Sequence, residues 1–228
     1  MTSADFEPAV PRTAGRGPGP AGSGGDDPEP PRGRRAGRRK IAVLEAACRV
    51  IADRGADATR FADVAAESGV PVSTLQYYFG SREDLLVAAF RHASSAEIAA
   101  LEAEVAGLDD PWDQLEKIIA TSLTGYAPDA PGGGRLWVES WHFGLRDPEM
   151  RADALRDNTA WRRLVASVVR GGIERGVFSG RHDPDTVAVL AVAAADGMGI
   201  PLSLGDPEIT GHSAVHDVLA ALRELLRP

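Results

Sequence analysis

The sequence predicts an all-α protein of about nine helices, with a small N-terminal three-helix head and a larger helical body. Three observations predict it. Apolar residues recur three and four apart through most of the chain beyond residue 37, and no segment alternates with the period of two that a strand needs. Three Asp-Pro steps, Asp110-Pro111, Asp147-Pro148 and Asp183-Pro184, put a capping carboxylate directly before a residue favoured in the first helical turn. Residues 59–86 read as two short helices joined by a tight turn, then the start of another, which is the layout of a helix-turn-helix.

Residues 1–31 are rich in Pro, Gly, Ser and acids and cannot bury a core, so a disordered tail is expected. Residues 32–40 carry Arg32, Arg34, Arg35, Arg38, Arg39 and Lys40 and read as a basic arm. A first helix over about 37–54 places Ile41, Leu44, Ala47, Cys48 and Ile51 on one face, with Gly55 past its end. Thr59 is the expected N-cap of the second helix, whose Phe61, Val64, Ala65 and Ser68 share a face. Gly69 stops that helix at a position that often needs positive φ. The next helix starts near Pro71 and runs to about Phe79. Leu75 and Phe79 face the core, which leaves Ser73, Thr74, Gln76, Tyr77 and Tyr78 to face a partner. Ser81 and Asp84 form a capping box that opens a fourth helix, about 82–105, linking head to body.

In the body, helices are expected at about 111–126, 135–145, 148–175, 184–203 and 213–226, with Pro131 to Gly134 as a flexible loop. The domain reading is a tail over 1–31, a head over 32–82 and a body over 83–228. Val187 through Ala195 is unbroken apolar sequence, so the helix holding it must be covered on every side. Small residues at Ala188, Val192, Ala195 and Gly199 suit close approach by a second helix, and the last helix spaces Val215, Leu219, Leu222 and Leu226 along one stripe. Two readings fit. Either both helices are internal to a monomer, or these eight residues form the seam of a two-fold dimer.

The net charge of −8 is unevenly spread: residues 32–82 hold ten Lys or Arg against five acids, while residues 83–228 hold 13 against 23. A basic head on an acidic body suits a nucleic-acid partner for the head alone. The single cysteine, Cys48, excludes an intramolecular disulfide and fits a reducing cytoplasm; its line with Leu44 and Ile51 makes it a packed core thiol. No signal peptide and no membrane-spanning apolar segment are expected. His212 and His216 lie four apart, but no Cys or Glu completes a zinc pattern, and Pro131 to Gly134 lacks the Lys-Ser/Thr of a phosphate loop. No metal, no cofactor and no catalytic constellation are therefore predicted.

Trp137, Trp141, His142 and Phe143 cluster on the sixth helix, and Trp161 lies on the seventh. Each singly reads as core. Together, with Glu139, His142 and Asn158 as polar handles, they are candidates to wall an apolar cavity for a small molecule.

The helix-turn-helix stretch, through Asp63-Val64-Ala65, Ser68-Gly69-Val70, Ser73-Thr74-Leu75, Tyr78-Phe79 and Ser81 to Leu86, resembles the TetR family of bacterial one-component repressors. Gln76 stands where that family most often has Tyr. The resemblance implies a homodimer that reads a palindromic double-stranded operator through Arg35, Arg38, Arg39, Lys40, Thr59, Ser73, Thr74, Gln76, Tyr77, Tyr78 and Arg82, and a repressor released by a small molecule. Helix four would carry the change to the head. The segment from Trp137 to Phe178, with Asp196-Gly197-Met198, is similar to the effector domain of the subgroup that includes choline-responsive betaine regulators. Two rival readings remain: a helical enzyme using the aromatic pocket, and a DNA-binding protein with no small-molecule effector.

Overall fold

The computed structural model describes residues 32–126 and 133–228, with side chains from residue 37 onward in the first segment. The expected tail over 1–31, the Arg35 side chain and the Pro131-Gly132 part of the expected loop lie outside the described residues. Nine helices and no strand are found among the described residues: α1 (Arg32–Arg54), α2 (Phe61–Ser68), α3 (Val72–Phe79), α4 (Arg82–Ala106), α5 (Pro111–Thr124), α6 (Gly133–Gly144), α7 (Pro148–Glu174), α8 (Pro184–Leu204) and α9 (Gly211–Leu226).

Local chemistry sets most of the ends. The carboxylates of Asp110, Asp147 and Asp183 accept the backbone N–H groups of Trp112, Met150 and Thr186, each ahead of a proline in the first turn. Ser81 and Asp84 exchange bonds across the first turn of α4 as the capping box requires. Gly69 ends α2 in the left-handed region at φ 67°.

Three local expectations are corrected. The basic stretch 32–40 is the first part of α1 and not an arm preceding it. Arg60 caps α2 in place of Thr59, its N–H donating to Asp63 at 2.9 Å; Thr59 is fully buried and donates its hydroxyl to the Gly55 carbonyl. Ile41 is 46% exposed and lies off the buried face of α1.

Two hydrophobic clusters organise the chain. The first gathers Val43, Ile51, Val64, Leu75 and Phe79 of α1–α3 around Leu85, Leu86 and Phe90 of α4, and also takes in Leu136 and Phe143 of α6 and Met150 of α7. The second joins Leu115, Ile119 and Leu123 of α5 to Val165 and Val169 of α7, Ala191 of α8, and Val218, Leu222 and Leu226 of α9. Helix α4 serves both, giving Leu101 and Val105 to the second. Arg91 fastens α4 to α7 by donating to Asp153 at 2.7 Å and Glu149 at 2.9 Å. Cys48 is largely buried, its thiol donates to the Ala89 carbonyl, and burial pushes it up to about 11.

Helix α8 corrects two further expectations. By length and composition it could cross a membrane, with a mean hydropathy of 1.8, although no such segment was expected. It packs on α5, α7 and α9 of its own chain. Ala188, Ala195 and Gly199, expected at a seam between protomers, are buried in the protomer, as are Leu219, Leu222 and Leu226 of α9; Val192 and Val215 are half-buried against the same cluster. Gly199 is small because Tyr126 lies on it: an added Cβ would sit 2.6 Å from the ring. The open apolar stripe of α8 is the opposite one, Val189, Leu190, Ala193, Gly197, Ile200 and Leu204.

Candidate functional site

The outer face of α3 presents Ser73, Gln76 and Tyr77, the last 85% exposed. Thr74 and Tyr78 are half-buried; Tyr78 packs against the head core and meets the Phe79 ring edge-on at 6.2 Å. Arg38, Arg39 and Lys40 are exposed along α1, with the Lys40 ammonium 5.3 Å from the Phe79 ring centre. The head therefore offers a short helix with polar and aromatic side chains outward, flanked by cations, as major-groove reading needs.

Two residues expected on that face do other work. Buried Thr59 has no surface to offer a phosphate. Arg82 spends its guanidinium indoors: Nε donates to the Thr59 carbonyl at 2.6 Å, one terminal nitrogen to the Ala56 carbonyl, and the other to Glu83 at 3.1 Å. Arg82 thus ties the start of α4 to the turn between α1 and α2.

In the body, α4, α5, α6, α7 and α8 surround about 660 Å³ of space free of protein atoms, part of it open to solvent. Trp137 and Trp141 of α6, Asn158 and Trp161 of α7, and Tyr126 beyond α5 line it, as do three acids: Glu97 of α4, Asp157 of α7 and Asp196 of α8. No Lys, Arg or His is among the described lining residues. Burial pushes the Glu97 carboxyl up to about 7, and its Oε2 has no hydrogen-bond partner among the described residues. Burial also raises Asp196 to about 6, partly offset by the Tyr126 hydroxyl, which donates to it at 3.4 Å. Tyr126 itself is held far above the usual phenol range, first by burial and then by the charges of Asp196 and Glu97.

The remaining expected cavity residues are turned away. Glu139 points to the head, where its Oε2 accepts the Ala56 N–H at 2.9 Å. His142 is exposed, 4.0 Å from Asp57, and Arg146 donates to Asp57 at 3.3 Å. Phe143 lies in the head cluster, 6.4 Å from the Phe90 ring. Helix α6 thus has a cavity face, with Trp137, Ser140 and Trp141, and a head face, with Leu136, Glu139, His142 and Phe143, and Arg146 just past its end joins the head side.

The three acids were missed, although two left a trace. Glu97 falls on the buried stripe Phe90, Ser94, Leu101 of α4, and Asp196 interrupts the most apolar helix of the chain. An acid on a face that burial favours is expensive unless something occupies the space beside it.

The geometry has counterparts. The profile of bacterial regulatory proteins of the tetR family matches residues 43–89, and that of the BetI-type transcriptional repressor C-terminal region matches residues 111–227. The HTH-type transcriptional regulator BetI of Rhizobium meliloti (strain 1021) is 28% identical over 183 residues, 78% of this chain and 84% of that protein. The BetI of Burkholderia lata is 27% identical over 114 residues, and the chain spans 58% of its length. Among solved structures, a transcriptional regulator from Saccharomonospora viridis in complex with choline matches with a TM-score of 0.74 and 26% identity, over 82% of this chain and 96% of that one. A TetR-family regulator from Rhodococcus sp. matches with a TM-score of 0.70 and 26% identity, over 83% and 99%.

Proposed function

The chain belongs to the TetR family of bacterial regulatory proteins and is a ligand-responsive DNA-binding regulator and not an enzyme; from that premise we propose that it is a homodimeric repressor released from a palindromic operator by a small organic cation. The observation that carries the effector class is the cavity wall: three tryptophans and a tyrosine beside three acids, with no basic side chain among the described lining residues. Aromatic faces attract a quaternary or alkylated ammonium through their quadrupoles, and nearby carboxylates supply the countercharge. Choline in the Saccharomonospora viridis regulator supports the same class.

The open stripe of α8 supports the dimer, because an apolar face of that length seeks cover and two half-sites need two heads. Arg38, Arg39 and Lys40 neutralise phosphates, while Ser73, Gln76 and Tyr77 reach the groove. Transmission runs through α6 as well as α4, since the helix that walls the cavity also grips the turn after α1. A cation pulling on Trp137 and Trp141 shifts that grip and biases the dimer toward a head spacing that no longer fits both half-sites. A cytoplasmic location follows from the DNA partner.

The test starts from operator sequences selected from random DNA with the full chain. Choline should release the selected DNA, and the isostere with carbon in place of the quaternary nitrogen should not. Equal release by both would remove the cation from the reading, and a selection that yields no two-fold sequence would remove the dimer.

A further inference from the structure

Glu97, Asp157 and Asp196 converge on one cavity from α4, α7 and α8, with no Lys, Arg or His among the described residues that line it. Helix α6 brings only Trp137, Ser140 and Trp141 to that wall, and the end of α5 brings Tyr126, a hydroxyl that donates to Asp196. Glu97 has the worst position of the three, with one carboxyl oxygen buried and unpartnered. Ionised within an aromatic enclosure, Glu97 and Asp196 would lack the water that normally stabilises a carboxylate. Two things relieve the problem: a proton on the carboxyl, or a cation beside it.

We infer that the cavity is an exchange site, in which an arriving organic cation displaces a proton from Glu97, so that the effector is sensed against the ambient acidity. This rests on the reading of the effector as a cation. The carboxyl positions set by burial, about 7 for Glu97 and about 6 for Asp196, put the exchange near neutral pH. The sign follows from linkage. Protons and cation compete for one place, so acid weakens the effector and favours the DNA-bound form, whereas alkali lets the cation in and favours release.

The experiment is a choline titration of the full chain, followed by tryptophan fluorescence and by calorimetry in buffers of differing ionisation heat, from about pH 5 to pH 9. Below about 7 the affinity should rise by close to tenfold per pH unit, with a proton released on binding, and should level off above. Glu97→Gln should flatten the slope and remove that proton. An affinity for choline that does not change with pH in the wild type, or an unchanged slope in Glu97→Gln, overturns the exchange. If choline binds at no pH, the quaternary-ammonium reading fails, and the empty protein still decides the proton: its tryptophan fluorescence should show a step near 7 that Glu97→Gln lacks. Absence of that step overturns the inference too.

Discussion

Glu139 of α6 holds the head directly: its carboxylate accepts the Ala56 N–H at 2.9 Å, 83 residues away in sequence. The bond satisfies a donor in the turn after α1, where Gly55 sits at φ +82° and an added Cβ would come within 3.1 Å of Glu139 Oε1. A hydrogen bond to an ionised partner contributes about 1.5–3 kcal/mol, so its loss should be felt in the linkage of head to body. Glu139→Ala should keep operator binding within a few-fold and shrink the ratio of operator affinities measured without and with effector. An unchanged ratio would assign transmission to α4 alone. Gly55→Ala should lower stability by about 1–2 kcal/mol for the left-handed backbone, with the contact to Glu139 added to that.

Gln76 and Arg82 were expected to act together on DNA and should now separate. Gln76→Ala should relax base preference at one position per half-site, worth about 1–3 kcal/mol of discrimination. Arg82→Ala should leave base preference intact and lower the denaturant midpoint of the head, because the carbonyls of Ala56 and Thr59 lose their donor. A shifted base preference in Arg82→Ala would show that its guanidinium leaves those carbonyls for DNA.

Trp141 should matter to effector and not to operator. A desolvated cation–π contact is worth about 2 kcal/mol, so Trp141→Ala should weaken choline binding on the order of tenfold or more. Operator affinity without effector should stay near wild type, as measured by fluorescence anisotropy of labelled DNA. Loss of operator binding in this variant would mean that Trp141 is a structural prop.

The two sides of α8 give opposite results on charge insertion. Ala193 is exposed on the open stripe, so Ala193→Arg should yield a folded monomer by sedimentation, with intact helical circular dichroism. Ala195 is buried beside the cavity at 1% exposure, so Ala195→Arg should unfold or aggregate. A stable dimer in Ala193→Arg would place the seam elsewhere.

The empty protein should lose stability as pH rises toward neutrality. Glu97 titrates at about 7 in the fold against 4.5 when unfolded, and Asp196 at about 6 against 3.8. Between those limits the folded chain holds more protons than the unfolded one, so unfolding becomes easier as pH increases, levelling off above about 7. Urea midpoints across that range should fall for wild type and fall less for Glu97→Gln.

Local signals made the helices legible. A capping carboxylate before proline or a left-handed glycine acts over four or five residues, and a reader of the sequence sees all of it. Facing was harder. Trp137 and Trp141 are four apart and share the cavity side, whereas Glu139 and Phe143 are offset by half a turn and belong to the head, so a cluster in sequence split across a helix. The acids come from three distant helices, and only their convergence gives them meaning. The seam of α8 was misread for a related reason: an unbroken apolar run has no polar side to mark its outside. Its small residues Ala188, Ala195 and Gly199 are buried within the protomer, Gly199 beneath the Tyr126 ring.

Buried Cys48, with its thiol pushed up to about 11, has a practical corollary. Almost none of it is thiolate at neutral pH, so probe chemistry will pass it by. A cysteine engineered at Tyr77, out on the exposed face of α3, would then be the one site to take a spin label. In the proposed dimer, distances between two such labels, read by pulsed electron resonance, would follow the two reading helices without the native cysteine first being removed.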